Sequence, residues 1–158
     1  MAEKILVPLD GSKVGEAALP YINDLIAKLV PGGQVEVTLI QVVSHLVHYV
    51  VVGEEAVRSP YTPQEIEQLK KRASQYLTEA EAALRLAGAA TKVRVEVGNA
   101  AEEILKAADE LGVDMIAMSS HGRSGLSRLA FGSVTDKILH GSNRPVLVVK
   151  APKGLQNG

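Results

Sequence analysis

The chain has 158 residues, 46% of them hydrophobic and only 3% aromatic, which fits one compact domain with a core of Val, Ile, Leu and Ala. A formal net charge of −1 gives no electrostatic footprint for nucleic acid or an anionic membrane, and so few aromatic rings give no stacking platform for single strands. The absence of cysteine excludes disulfides, Cys-zinc sites and thiol chemistry.

Ile5-Leu6-Val7-Pro8-Leu9 is a short apolar run ending in Asp10-Gly11-Ser12, the pattern of a buried parallel strand entering a turn. Ser12 is placed to cap a helix running to about Leu29, whose apolar positions Ala18, Ile22, Leu25 and Leu29 recur at helical spacing. Pro20 falls inside that span and predicts a kink. Pro31-Gly32-Gly33 ends the unit, and Val35 to Val43 reads as the second strand. Ser44 to Tyr61 is a connection of unusual length for an α/β domain. Its apolar piece, Leu46 to Val52, argues for a segment folded over a site or packed on a partner, and against a loose linker. Thr62 and Glu65 then form a capping box, with Pro63 at the first helical position. The helix they open runs through Leu69, Tyr76 and Leu84 to Gly88, which fits the glycine just past a helix end.

Lys92 to Val97 alternates charged and apolar residues, as an edge strand covered on one face does. Asn99 and Glu102 repeat the capping pattern ahead of a third helix, Ala100 to Leu111, closed by Gly112. Asp114 to Met118 is the fourth strand, a fourth helix spans about Ser133 to His140, and Val146 to Val149 is the last strand. This βαβαβαβαβ order predicts a single α/β domain: a five-stranded parallel sheet with helices on both faces and the last strand at an edge. The domain is expected over residues 1–150, with 151–158 a loose tail. Met1 to Asp10 lacks the features of a signal peptide, and no apolar run reaches the length of a membrane span, so a cytoplasmic location is expected.

The chemistry concentrates after the fourth strand. Met118-Ser119-Ser120-His121-Gly122-Arg123-Ser124-Gly125 is followed by Phe131-Gly132-Ser133-Val134-Thr135. Glycines let backbone N–H groups approach phosphate oxygens. Ser133 and Thr135 add hydroxyls at a helix start, where the dipole favours anions. In a parallel sheet the first and fourth strands end on the same side. If they are neighbours, Asp10 and the glycine segment frame one crevice at the point where strand order reverses. Simpler roles stand beside this one: Gly122 and Gly125 as loop glycines, Asp10 as a turn or cap residue, and His121 as a loop histidine. Arg123, adjacent to Gly122, is a better phosphate candidate than Arg128. His45 and His48 lack a nearby carboxylate and make a poor metal site.

The chain resembles the universal stress protein family over almost its whole length. That family's signature is Gly, two residues, Gly, nine residues, then Gly and Ser or Thr. Gly122, the stretch Arg123 to Phe131, and Gly132-Ser133 match its second part, whereas Ser119 stands at the first glycine. Ile5-Leu6-Val7-Pro8-Leu9-Asp10-Gly11-Ser12 and Asn143-Arg144-Pro145-Val146-Leu147-Val148-Val149 are also similar to the family's opening and ending.

The resemblance implies a Rossmann-like fold of the adenine nucleotide alpha hydrolase type and an ATP-binding regulatory role. It assigns Asp10 a hydrogen bond to the ribose or adenine edge. Pro8, Leu9, Val42 and Met118 would line the base pocket, Val42 through its backbone. Ser119, Gly122, Arg123, Gly132, Ser133, Val134 and Thr135 would surround ribose and phosphates. His121 joins the candidate contacts from its place in the loop. The cofactor expected is ATP, or ADP or AMP, with Mg²⁺ arriving on the phosphates. The partner expected is a second copy, joined through Val146 to Val149.

No residue is evidently placed to activate water, so at most slow hydrolysis or self-phosphorylation is implied. Two other functions compete. A dimeric interaction module without nucleotide has the serine at 119 in its favour and the retained Gly132-Ser133-Val134-Thr135 against it. A serine hydrolase would use Ser120, but Met118 stands where a nucleophile elbow needs glycine, and only His140 with Asp136 follows. No glycine-rich loop ends in Gly-Lys-Ser/Thr, which disfavours a Walker-type ATPase.

Overall fold

A computed structural model describes residues 2–44, 47–121 and 131–150. In chain order the elements are β1 (Ala2–Pro8), α1 (Leu19–Leu29), β2 (Gln34–Val43), β3 (Val47–Val52), β4 (Glu55–Pro60), α2 (Pro63–Leu86), β5 (Ala90–Val97), α3 (Ala100–Leu111), β6 (Met115–Ser119), α4 (Ser133–Gly141) and β7 (Val146–Val149). Five strands form one parallel sheet in the order β5-β2-β1-β6-β7. The chain builds outward from β1 through β2 to β5, then crosses to the other side of β1 for β6 and β7. Strand order therefore reverses at β1, between Pro8 and Ser119 at the carboxyl ends.

Alternation along the strands separates two apolar layers. Ile5, Val7 and Leu9 with Val35, Val37 and Leu39 pack on Ile22 and Ile26 of α1 and on Leu77 and Leu84 of α2. On the opposite face Leu6, Ile40, Ile116 and Met118 pack on Ala101, Ile104 and Ala107 of α3 and Ile138 of α4. The expected parallel sheet with helices on both faces is what forms.

Local signals act much as read. Thr62 Oγ1 accepts from the Glu65 N–H at 3.2 Å, and the Glu65 carboxylate accepts from the Thr62 N–H at 2.7 Å. Asn99 Oδ1 accepts from the Glu102 N–H at 3.1 Å, and Gly112 ends α3 in the left-handed conformation.

Four readings are corrected or sharpened. Ser12 does cap a helical turn, its Oγ accepting from the Gly15 N–H at 3.0 Å, but that turn is a short 3-10 segment, Gly15–Ala18. The α-helix proper starts at Leu19, so Pro20 sits in its first turn, where a missing N–H breaks no bond and gives no kink. The long connection carries a β-hairpin, β3 against β4, turning at Gly53-Glu54 with Gly53 at φ +69°. Strand β6 ends one residue later than read, at Ser119.

Candidate functional site

At the carboxyl edge of the sheet lies a cavity of about 680 Å³, within the range of small-molecule sites. From the end of β1 come Pro8, Leu9 and Asp10, and from β2 comes Val42. Met118 and Ser119 of β6 and the following His121 form the facing side. Gly132, Ser133, Val134 and Thr135 bring in the start of α4. Every described residue assigned to the nucleotide in the sequence thus borders one space. Gly122 and Arg123 lie outside the described residues, as does His45.

The floor is set by a turn. Asp10 Oδ1 accepts from the Ser12 N–H at 2.9 Å and from the Ser12 hydroxyl at 2.5 Å, while Gly11 between them takes φ +84°. Asp10 therefore performs its structural role and lines the cavity as well. It is the one carboxylate among the described lining residues.

The β6 end is pinned by hydroxyls. The buried Ser119 Oγ donates to the His121 carbonyl at 2.5 Å, and the Ser119 carbonyl accepts from Thr135 Oγ1 at 3.0 Å. The Gly132 N–H donates to the Ser120 carbonyl at 2.9 Å, which brings the first turn of α4 to the strand end. That turn's N–H groups lack intrahelical acceptors and carry the positive end of the dipole. Ser119 thus closes the loop base with a hydrogen bond that a glycine cannot make.

Ser120 Oγ meets His121 Nδ1 at 3.0 Å, but Ser120 is only 2% exposed and is not among the lining residues. His140 and Asp136 lie exposed on α4, with 3.6 Å between Nδ1 and Oδ1. An exposed nucleophile backed by a histidine is not formed there.

The reading of the chain missed a whole wall. Leu69, Arg72, Ala73 and Tyr76 of α2 line the cavity, together with Tyr61 just before the helix and Gln41 on β2. Leu69, Ala73 and Tyr76 recur at helical spacing, a signal of a packed helix face that does not say a cavity opens against it. Arg72 is the one Lys or Arg among the described lining residues, and its helical neighbours Gln68, Leu69, Gln75 and Tyr76 offer no carboxylate. Tyr76 donates to Glu16 at 2.9 Å. Burial, then that bond to a carboxylate, pushes its phenol well above the ordinary value of 10.0. Among the described residues no cluster of three or more His, Cys, Asp or Glu is placed to hold a metal ion, and no helix is long and apolar enough to cross a membrane.

The profile of the universal stress protein family matches residues 1–150. Universal stress protein MJ0577 of Methanocaldococcus jannaschii is 31% identical over 159 residues, covering 95% of this chain and 96% of the relative. A solved structure of MJ0577 superposes with a TM-score of 0.75 at 30% identity, covering 96% of this chain and 97% of that one. Two more distant structures share the fold. One is a universal stress protein family protein from Arabidopsis thaliana with AMP bound (TM-score 0.65, 12% identity, 96% and 94% covered). The other is a universal stress protein in complex with cAMP (TM-score 0.61, 21% identity, 95% and 98% covered).

Proposed function

Because the chain belongs to the universal stress protein family, we propose that it is a stress-response regulatory protein that holds an adenine nucleotide in the cavity between the ends of β1 and β6. The observation that carries this reading is convergence. One cavity at the reversal point of the sheet collects an apolar slot (Leu9, Val42, Met118), a carboxylate (Asp10) and the first turn of α4. Relatives crystallised with AMP and with cAMP support the adenine assignment.

In this reading the base lies against Pro8, Leu9, Val42 and Met118, and Asp10 accepts from ribose or base. Ser119, His121, Gly122, Arg123 and Gly132 to Thr135 surround the phosphates, and Mg²⁺ accompanies them. The role is regulatory, since Asp10 already holds the Ser12 turn and no other carboxylate among the described lining residues stands by to activate water. A cytoplasmic place of action and a homodimer through β7 belong to the same proposal. The dimer is supported by the position of β7 at the sheet edge, with Leu147 exposed.

Calorimetric titration with ATP, ADP and AMP tests the reading on the wild type and on Gly122→Val and Asp10→Ala. The wild type should bind, and each variant should lose about tenfold or more in affinity, as removal of a charge-assisted contact does. Silence from the wild type would leave the nucleotide-free dimeric module. Equal binding by wild type and Gly122→Val would remove the phosphate assignment.

A further inference from the structure

Gln41 breaks the register of its strand. Val35, Val37 and Leu39, on the same face of β2, are buried hydrophobics packed with α1 and α2. Alternation gives the next position on that face to Gln41, a carboxamide where the pattern calls for another apolar side chain. Ile40 and Val42, on the other face, belong to the opposite layer. Gln41 lines the cavity beside the α2 wall, and its Oε1 is shielded from solvent with no hydrogen-bond partner. Buried carbonyl oxygens are almost always paired, so an orphan on a residue that lines a ligand cavity marks an acceptor awaiting a donor.

We propose that Gln41 reads the edge of the bound base, its Oε1 accepting from the exocyclic amino group of a 6-aminopurine. The inference rests on the nucleotide reading and deepens it. A glutamine carboxamide presents an acceptor beside a donor, which matches the N6 amino group and N7 of adenine. A 6-oxopurine presents two acceptors at that edge and leaves Oε1 unpaired. Sites built around a hydrogen bond discriminate strongly against ligands that cannot complete it. Val42, the next residue, is the one expected to meet the base through its backbone, so Gln41 is placed to act on the same ring.

The test uses ATP and ITP, whose purines differ at position 6 and in the proton that ITP carries on N1, titrated into wild type and Gln41→Met. The wild type should bind ATP about tenfold or more tightly than ITP, the scale of one good base contact. Gln41→Met keeps the length of the side chain and removes the acceptor. It should lower ATP affinity, leave ITP affinity unchanged and so narrow the ratio, with a thermal midpoint no lower than the wild type's. Equal affinities in the wild type would overturn the inference and leave the nucleotide reading intact. So would a variant that loses ATP and ITP in the same proportion. Failure of the wild type to bind either nucleotide would remove both.

Discussion

Gly15 shows how closely the cavity floor is built. A Cβ on this residue would lie 2.5 Å from Asp10 Oδ1 and 3.1 Å from Ser12 Oγ. The carboxylate it would strike is short and held by two bonds from Ser12, so it cannot swing aside without losing the turn. Gly15→Ala should therefore displace Asp10, weakening nucleotide binding by about tenfold, the worth of one charge-assisted hydrogen bond. Unchanged calorimetry would mean that Asp10 does not touch the ligand. Tyr76 makes a prediction of a different kind. Its phenol loses a proton less readily in the folded protein than at its ordinary value of 10.0, because it is buried and bonded to Glu16. The unfolded chain then binds fewer protons above that pH, so stability falls as pH rises past about 10 toward the higher folded value. Tyr76→Phe should flatten this alkaline limb in denaturant melts taken between neutral pH and about pH 11. At this scale Asp10 and the α4 residues were legible because turn and helix-start chemistry mark them locally. Gln41 and Arg72 were not, since a lone Gln in a strand or Arg on a helix carries no local signature.

Among the elements, α2 and the hairpin mark opposite limits of legibility. The start of α2 follows from four consecutive residues, Thr62 to Glu65, whose side chains satisfy orphan N–H groups reciprocally. Thr62→Ala should destabilise the fold by about 1 kcal/mol in urea unfolding, with an unchanged slope. The hairpin was hidden because a valine-rich run inside a connection has no single-face alternation. Tyr49, Val51, Val52 and Val57 are all well exposed, so neither face declares an inside. Its clearest sign was Gly53, which permits the tight two-residue turn between Val52 and Glu55. Pro20 was misjudged for a related reason: the helical span that contains it changes type just before it.

For the molecule as a whole, the parallel sheet was the central inference, and it followed from the near-continuous apolar strands and their alternation with helices. The adjacency of β1 and β6 was a condition of the crevice, and the pairing Ile5 with Met115 and Leu6 with Ile116 meets it. The α2 wall was beyond reach, because it depends on how a 24-residue helix lies across the sheet edge. The proposed dimer is testable at this scale. The carbonyls of Pro145 and Val149 bond to β6, at 2.9 Å and 2.8 Å. In a parallel strand the intervening Val146 and Val148 then direct their N–H and C=O groups to the free edge. Val148→Pro should leave the β6 ladder intact and remove an edge donor, turning a dimer into a folded monomer in light scattering. Unchanged mass would defeat the β7 interface.

The contact between His48 and Tyr61, ring centroids 4.3 Å apart and nearly perpendicular, ties the hairpin to the mouth of the cavity. A two-stranded ribbon with its valines exposed among the described residues opens at small free-energy cost, so its amides should be the first of the strands to exchange with deuterium. Tyr61 belongs to both neighbourhoods. By reciprocity, a ligand that steadies this ring slows exchange in β3 and β4, and a hairpin held closed retains the ligand longer. If the proposed nucleotide binds, the hairpin would serve as a gauge of occupancy, readable at a distance from the bound molecule.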